Sequence, residues 1–329
     1  MPQINGQEVG PIGFGLMNLT WRPQPPPEEV AFAAIRTAIQ NGATFLNGGE
    51  FYGTPEYNSL VLLNRYFTKY PEDASKVCLS IKGAVDVQTL KPDSSPEGLR
   101  RSLDNSIKLL GGVKKIDVFE AARRDPKVPL AEAFGILQKE YIETGKLGGI
   151  ALSEVSAATI HEAVKIAKIV AVEVELSLWS TEPLTNGVAA ACQQYGIPLV
   201  AYSPVGRGML TGAIKSLDDI PAGDMRRHMP RFQPENFENN IKLVKQVEQI
   251  AKKKGVTPAQ LAIAWVRWLS GRPGMPVIIP IPGATKPEQV EENCKDVTLT
   301  DEEAEEINDT LAKFEVVGTR YPDGAPVNT

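Results

Sequence analysis

Gly13-Phe14-Gly15-Leu16-Met17-Asn18 closes the first apolar run of the chain, Ile12–Gly15, and its reading decides between two folds. A doubly wound nucleotide-binding sheet needs a third glycine in the turn after its first strand, where a helix begins under a pyrophosphate. No such glycine follows Gly15, so that reading fails. Outward from this stretch the sequence alternates strand-sized apolar runs with helical ones. Thr44–Asn47, Val77–Ile81, Ile116–Ala121, Gly149–Leu152, Ile169–Glu175, Ile197–Tyr202 and Pro276–Ile279 read as further strands of the buried, parallel type. Helices are expected between them at Glu28–Asn41, Ser59–Phe67, Pro96–Leu110, Leu130–Gly145, Ala157–Ala167, Asn186–Tyr195, Asn236–Gly255 and Pro258–Leu269. Two more open at Lys286 and at the acidic cap Asp301-Glu302-Glu303. Strict alternation gives a parallel sheet. Eight such units in 329 residues predict an α/β fold, a (β/α)8 TIM barrel forming one domain over residues 1–329. The active site of that fold lies at the C-terminal ends of its strands.

Composition narrows the function. The chain is 42% hydrophobic and 23% charged, with a formal net charge of -5, which argues against a nucleic-acid partner and against a basic membrane-surface protein. The apolar runs are too short to span a bilayer and no leader-like segment opens the chain, so a cytoplasmic location is expected. Cys78, Cys192 and Cys294 lie far apart, with no C-x-x-C pair, and read as buried thiols. With only His161 and His228 available, H-E-x-x-H zinc chemistry is excluded and no metal site is expected. The longest irregular stretch, Val205–Pro234, is rich in Gly, Pro and Arg, a length and composition typical of functional loops.

The strand ends carry the chemistry: Asn47-Gly-Gly-Glu50-Phe51-Tyr52-Gly53, then Lys82, then Ala121-Ala122-Arg123-Arg124-Asp125. Ser153-Glu154, Glu173 to Ser177, Tyr202-Ser203-Pro204 and Ile281-Pro-Gly283-Ala-Thr285-Lys286 follow. A tyrosine beside a lysine is a device for general acid catalysis, because an ammonium lowers the phenol's usual pKa of about 10.

Taken in order, these segments resemble the aldo-keto reductases from about Val9 to Asn293. Within that family the chain is most similar to the fungal pyridoxal reductases, through Gly15-Leu-Met-Asn-Leu-Thr-Trp21-Arg22, Asn47-x-Gly-Glu-Phe-Tyr52-Gly53 and Leu62-Leu-Asn-Arg-Tyr-Phe67. The resemblance implies hydride transfer from NADPH to the carbonyl of a small-molecule aldehyde, with Tyr52 donating the proton and Lys82 and Asn47 assisting. It implies a monomer or weak homo-oligomer. For the cofactor it implies Ser153 and Glu173 at the carboxamide, Tyr202 on the nicotinamide ring, and Ser203, Gly206, Arg207 and Leu210 at the pyrophosphate. Gly283, Thr285, Lys286, Gln289, Glu292 and Asn293 would hold the adenosine phosphate and adenine. Lys286 opens a helix, the wrong end of the dipole for a cation, and a 2'-phosphate would give it a partner. Trp21, Arg22, Phe51, Arg123 and Trp179 are expected to wall the substrate pocket, and Glu154 to face solvent.

Two positions depart from the family's set. Asn47 stands where an aspartate normally pairs with the lysine, and Ala122 where a histidine ends the fourth strand. Glu50, Arg123 or water is expected to fill these gaps, and an ammonium without a carboxylate partner is expected to pull the Tyr52 pKa down. Pyridoxal carries a hydroxyl beside its aldehyde that can polarise its own carbonyl. Reduction of another aldehyde, and a nicotinamide-binding regulatory subunit with vestigial activity, are the competing readings.

Overall fold

The computed structural model describes residues 1–329. A hairpin comes first, β1 (Gln3–Ile4) and β2 (Gln7–Glu8), which the sequence reading missed. Asn5 and Gly6 both take positive φ, 52° and 78°, as the two central residues of an Asn-Gly hairpin turn must. Eight parallel strands follow: β3 (Phe14–Gly15), β4 (Phe45–Gly49), β5 (Cys78–Gly83), β6 (Ile116–Ala121), β7 (Leu147–Ser153), β8 (Ile169–Glu175), β9 (Leu199–Tyr202) and β10 (Ile278–Ile281). They lie side by side in chain order. The seam between β3 and β10 is closed by backbone bonds from Gly13 N to Pro280 O, 2.9 Å, and from Gly15 N to Pro282 O, 3.2 Å. A Cβ on Gly13 would lie 2.7 Å from the Phe45 carbonyl oxygen. The glycines that fail as a phosphate loop therefore serve the close approach that completes the barrel.

Ile4 and Val9 close the bottom of the barrel against Phe45, Cys78, Val118, Val170, Val200 and Ile279. Burying such a side chain is worth about 1.5–3 kcal/mol, which explains why a two-residue ladder persists. A larger apolar core fills the space between strands and helices. The helices are set by their ends. Asn58 caps Ser59–Lys69, Ser95 caps Pro96–Leu110, and Thr257 forms a capping box on Pro258–Leu269. No helix is long and apolar enough to cross a membrane.

Some boundaries differ from expectation. The helix from Leu130 runs to Ile136 and then widens into a π-helical turn, Leu137–Ile142. The last strand starts two residues later than expected, after Pro276, which has no N–H to give the ladder. The segment Val205–Pro234 holds four short 3-10 turns.

Residues 313–329, beyond the helix Asp301–Ala312, return to the barrel without regular structure. Asn240 fixes this return through two bonds of 2.8 Å to the Val317 backbone. Arg320 and Tyr321 then reach the C-terminal ends of β7–β9.

Candidate active site

Tyr52 lies just beyond the end of β4, 8% exposed, stacked on Trp21 with ring centroids 5.5 Å apart and edge-on to Phe51 at 4.9 Å. Thr20 Oγ1 donates to its carbonyl at 2.6 Å. A Cβ on Gly49 would meet the Tyr52 ring at 2.9 Å, so only glycine at the strand end lets the ring lie there.

Lys82 sits on β5, in register with Gly49 on one side and Glu120 on the other. Its Nζ is 2.9 Å from Glu120 Oε1 and also pairs with Glu173 Oε1. Asn47 Nδ2 donates to Glu173 Oε2 at 2.7 Å and to Glu120 Oε1 at 3.3 Å. Asn47, Lys82, Glu120 and Glu173 are all buried. The sequence reading offered Lys82 only Glu50 or water as a compensating partner, and here the structure corrects it: two carboxylates, from β6 and β8, replace the one that Asn47 lacks. Glu50 is not among them. Its carboxylate accepts from Ser102 Oγ and Asn105 Nδ2, under the helix Pro96–Leu110. Glu173, expected at a carboxamide, has both oxygens engaged by Lys82 and Asn47.

The expected fall of the Tyr52 pKa is also corrected. Burial raises it well above the ordinary phenol value; Lys82 lowers it in part, and Glu173 and Glu120 raise it again. Glu173 is pushed up to about 8, by burial and by the neighbouring Glu120, against the opposing pull of Lys82. Lys82 stays charged, because its two carboxylates outweigh its burial.

A second polar cluster covers β7–β9. Glu154, expected to face solvent, is fully buried, with φ +54°. It accepts from Tyr202 Oη at 2.8 Å, from the Glu175 backbone N–H at 3.0 Å and from both Arg320 Nη atoms at 3.1 and 2.9 Å. Arg207 pairs with Glu175 at 2.8 Å, and Arg320 reaches the same carboxylate at 3.3 Å. Tyr321 Oη is 2.8 Å from Tyr202 Oη, and its ring carries the Arg207 guanidinium 4.5 Å from the centroid and that of Arg123 at 5.4 Å. Arg123 donates to the Ala122 carbonyl at 2.6 Å. The sequence reading gave no role to Glu120, Glu175, Arg320 or Tyr321. A glutamate at an inward register position of an apolar strand was the available signal for the first two.

The remaining expected positions divide. Trp21 and Phe51 are half-buried beside Tyr52, and Arg22 is exposed. Trp179 belongs to the core instead of a pocket wall: it is 4% exposed and packs edge-on against Phe232. Gly206 and Leu210 pack beneath it, while Ser203 and Arg207, both at positive φ, remain partly open. Thr285 and Gln289 are joined by two bonds, of 3.0 and 3.2 Å, beside exposed Lys286. Gly283 stands against Gly15 at the barrel seam, with Glu292 and buried Asn293 on the helix that follows.

Two of these residues leave a polar group free for a nicotinamide dinucleotide. Ser153 Oγ, at the end of β7, is buried with no hydrogen-bond partner in the protein, as expected of a group that waits for a carboxamide. The exposed Lys286 ammonium, free of ion pairs at the start of Pro287–Cys294, suits a phosphate.

The sequence matches the model of the Aldo/keto reductase family over residues 11–312, and the chain belongs to that family. It is 42% identical over 328 residues to "Probable pyridoxal reductase 2" of Schizosaccharomyces pombe, covering 98% of this chain and 97% of that one. It is 36% identical to "Aldo-keto reductase yakc [NADP(+)]" of the same yeast, covering 98% and 94%. The solved structure of a glycerol dehydrogenase from Gluconobacter oxydans superposes with a TM-score of 0.81 at 24% identity over 96% of each chain, and shares the TIM-barrel fold.

Proposed function

We propose that this chain reduces an aldehyde to an alcohol with NADPH, that pyridoxal is its substrate, and that Tyr52 is the proton donor. The observation that carries this reading is Tyr52 itself. Its phenol stands at the open end of the barrel, held protonated by burial and bounded by a charged lysine. Bound NADPH supplies the hydride. Ser153 would take the carboxamide, Tyr202 the ring face, Ser203 and Arg207 the pyrophosphate, and Thr285, Lys286, Gln289 and Asn293 the adenosine phosphate end.

The chain's own residues handle the proton. As negative charge grows on the carbonyl oxygen, the phenol O–H of Tyr52 shortens its bond to that oxygen and gives up its proton. Lys82 stabilises the phenolate left behind, the Coulombic effect that already opposes burial in the resting site. Arg123, next to Ala122 beyond the end of β6, has a guanidinium to offer an oxygen beside the carbonyl. Pyridoxal supplies such an oxygen next to its aldehyde, which suits a site with Ala122 in place of histidine. The relatives named above support the substrate and cofactor assignments. Steady-state oxidation of NADPH with pyridoxal, set against a panel of aldehydes lacking the adjacent hydroxyl, tests them. A preference for pyridoxal in kcat/KM is expected, and equal rates across the panel would assign the site to aldehydes in general.

A further inference from the structure

Lys82 is bracketed by two buried carboxylates, and nothing in a single Tyr–Lys pair requires the second. Glu120 and Glu173 come from β6 and β8, and Asn47 Nδ2 donates to both. Both carboxylates lie within reach of the same two donors, Lys82 Nζ and Asn47 Nδ2. Two carboxylates sharing a site cannot both ionise cheaply, so one cation in a dry site balances one of them. Glu120 Oε2 has no donor from the rest of the protein, which leaves room for a shared proton. We propose that Glu120 and Glu173 hold one proton between them and that this proton restores Tyr52 through Lys82 after each reduction, a device that rests on the assignment of Tyr52 as donor.

The steps balance. The Tyr52 O–H breaks and its proton goes to the alkoxide oxygen. A Lys82 N–H breaks and its proton goes to the phenolate. The carboxyl O–H breaks and its proton goes to the Lys82 amine. The carboxylate pair then takes a proton from water. No electrons move. Transfer from the pair to the phenolate runs downhill, since the carboxyl releases its proton at a lower pH than the buried phenol does.

The groups facing the pair are few. Lys82 and Ser80 come from β5, Asn47 from β4 and Tyr52 from the turn beyond it, with Ser153 opposite Glu173 on β7. The next layer holds Glu154 and Glu175, each engaged by an arginine from Arg207 and Arg320, with Arg123 alongside.

Infrared spectra recorded in light and heavy water between pH 5 and pH 10 read the proton directly. The wild-type protein, without cofactor, should show a buried protonated carboxyl at pH 7 that disappears as the pH rises through about 8. Glu120→Gln and Glu173→Gln should each lack it at pH 7, because the one remaining carboxylate ionises against Lys82. A band absent from the wild type at pH 7, or one that survives in both variants, overturns the shared proton. The wild-type titration alone decides this if a variant fails to fold. In turnover, the wild-type rate of reduction should fall through the same pH and the variants' rates should not. A rate that ignores the infrared titration overturns the relay. Absence of aldehyde reduction altogether would instead count against the donor role of Tyr52, leaving the infrared result intact.

Discussion

Lys82 Nζ lies 2.9 Å from Glu120 Oε1, across the β5–β6 register. The carboxylate that balances the lysine has thus moved from β4, where Asn47 now donates to it, to the opposite neighbour strand.

Restoring the aspartate on β4 should therefore do harm. Asn47→Asp removes two donated hydrogen bonds and places a third carboxyl beside Glu120 and Glu173. Burial and like charges raise the folded-state pKa of such a group above its unfolded value of about 3.9. Its contribution to stability is then fully present at low pH and lost as the pH rises through the folded value. Urea unfolding should show a deficit of ~1–3 kcal/mol or more at pH 8, smaller at pH 5. The double variant Asn47→Asp, Glu120→Gln should recover most of it. A single variant as stable as the wild type at pH 8 would mean that Glu120 and Glu173 carry no charge there.

Arg320→Ala should loosen the mouth of the barrel. Glu154 is buried, and Arg320 holds its pKa below the ordinary value although burial opposes this. A depressed carboxyl stabilises the fold above its unfolded pKa, and that stability fades as the pH falls through the folded value. Breaking a buried pair on one side costs about 3–5 kcal/mol. The deficit should be largest near neutrality and shrink toward pH 3, measured by thermal or urea unfolding. Equal deficits at both extremes would point to lost packing alone.

Lys286→Ala should discriminate between cofactors. The ammonium is exposed and unpaired at the head of Pro287–Cys294, so its removal leaves the fold unchanged. Fluorescence titration should show weaker binding of NADPH and unchanged binding of NADH, since only NADPH carries the 2'-phosphate. Parallel losses for both would place the phosphate elsewhere.

The barrel was legible because buried parallel strands write themselves as apolar runs, and each was found within a few residues of its place. Asn47 and Lys82 lie on β4 and β5, and Tyr52 just beyond β4, the strand-end positions at which the sequence reading placed them. The partners of Lys82 were not legible. Glu120 reaches it from the next strand, β6, inside a run that reads as a buried strand, and Glu173 reaches it from β8, which only the curl of the barrel brings close. Arg320 and Tyr321 lie beyond the last helix, in a stretch with no periodicity to mark it. Trp179 was misplaced for a related reason: a residue after a strand end faces the pocket or the core depending on the loop, and here Phe232 covers it.

The most direct test is the turnover of pyridoxal with NADPH by the wild type and by Tyr52→Phe, with cofactor binding measured in parallel. Loss of a positioned general acid typically lowers a rate by ~10²–10⁴-fold. The account predicts reduction by the wild type, a fall of that order in kcat for Tyr52→Phe, and the same NADPH affinity in both. Undiminished kcat in the variant would contradict it, since the proton would then come from another group.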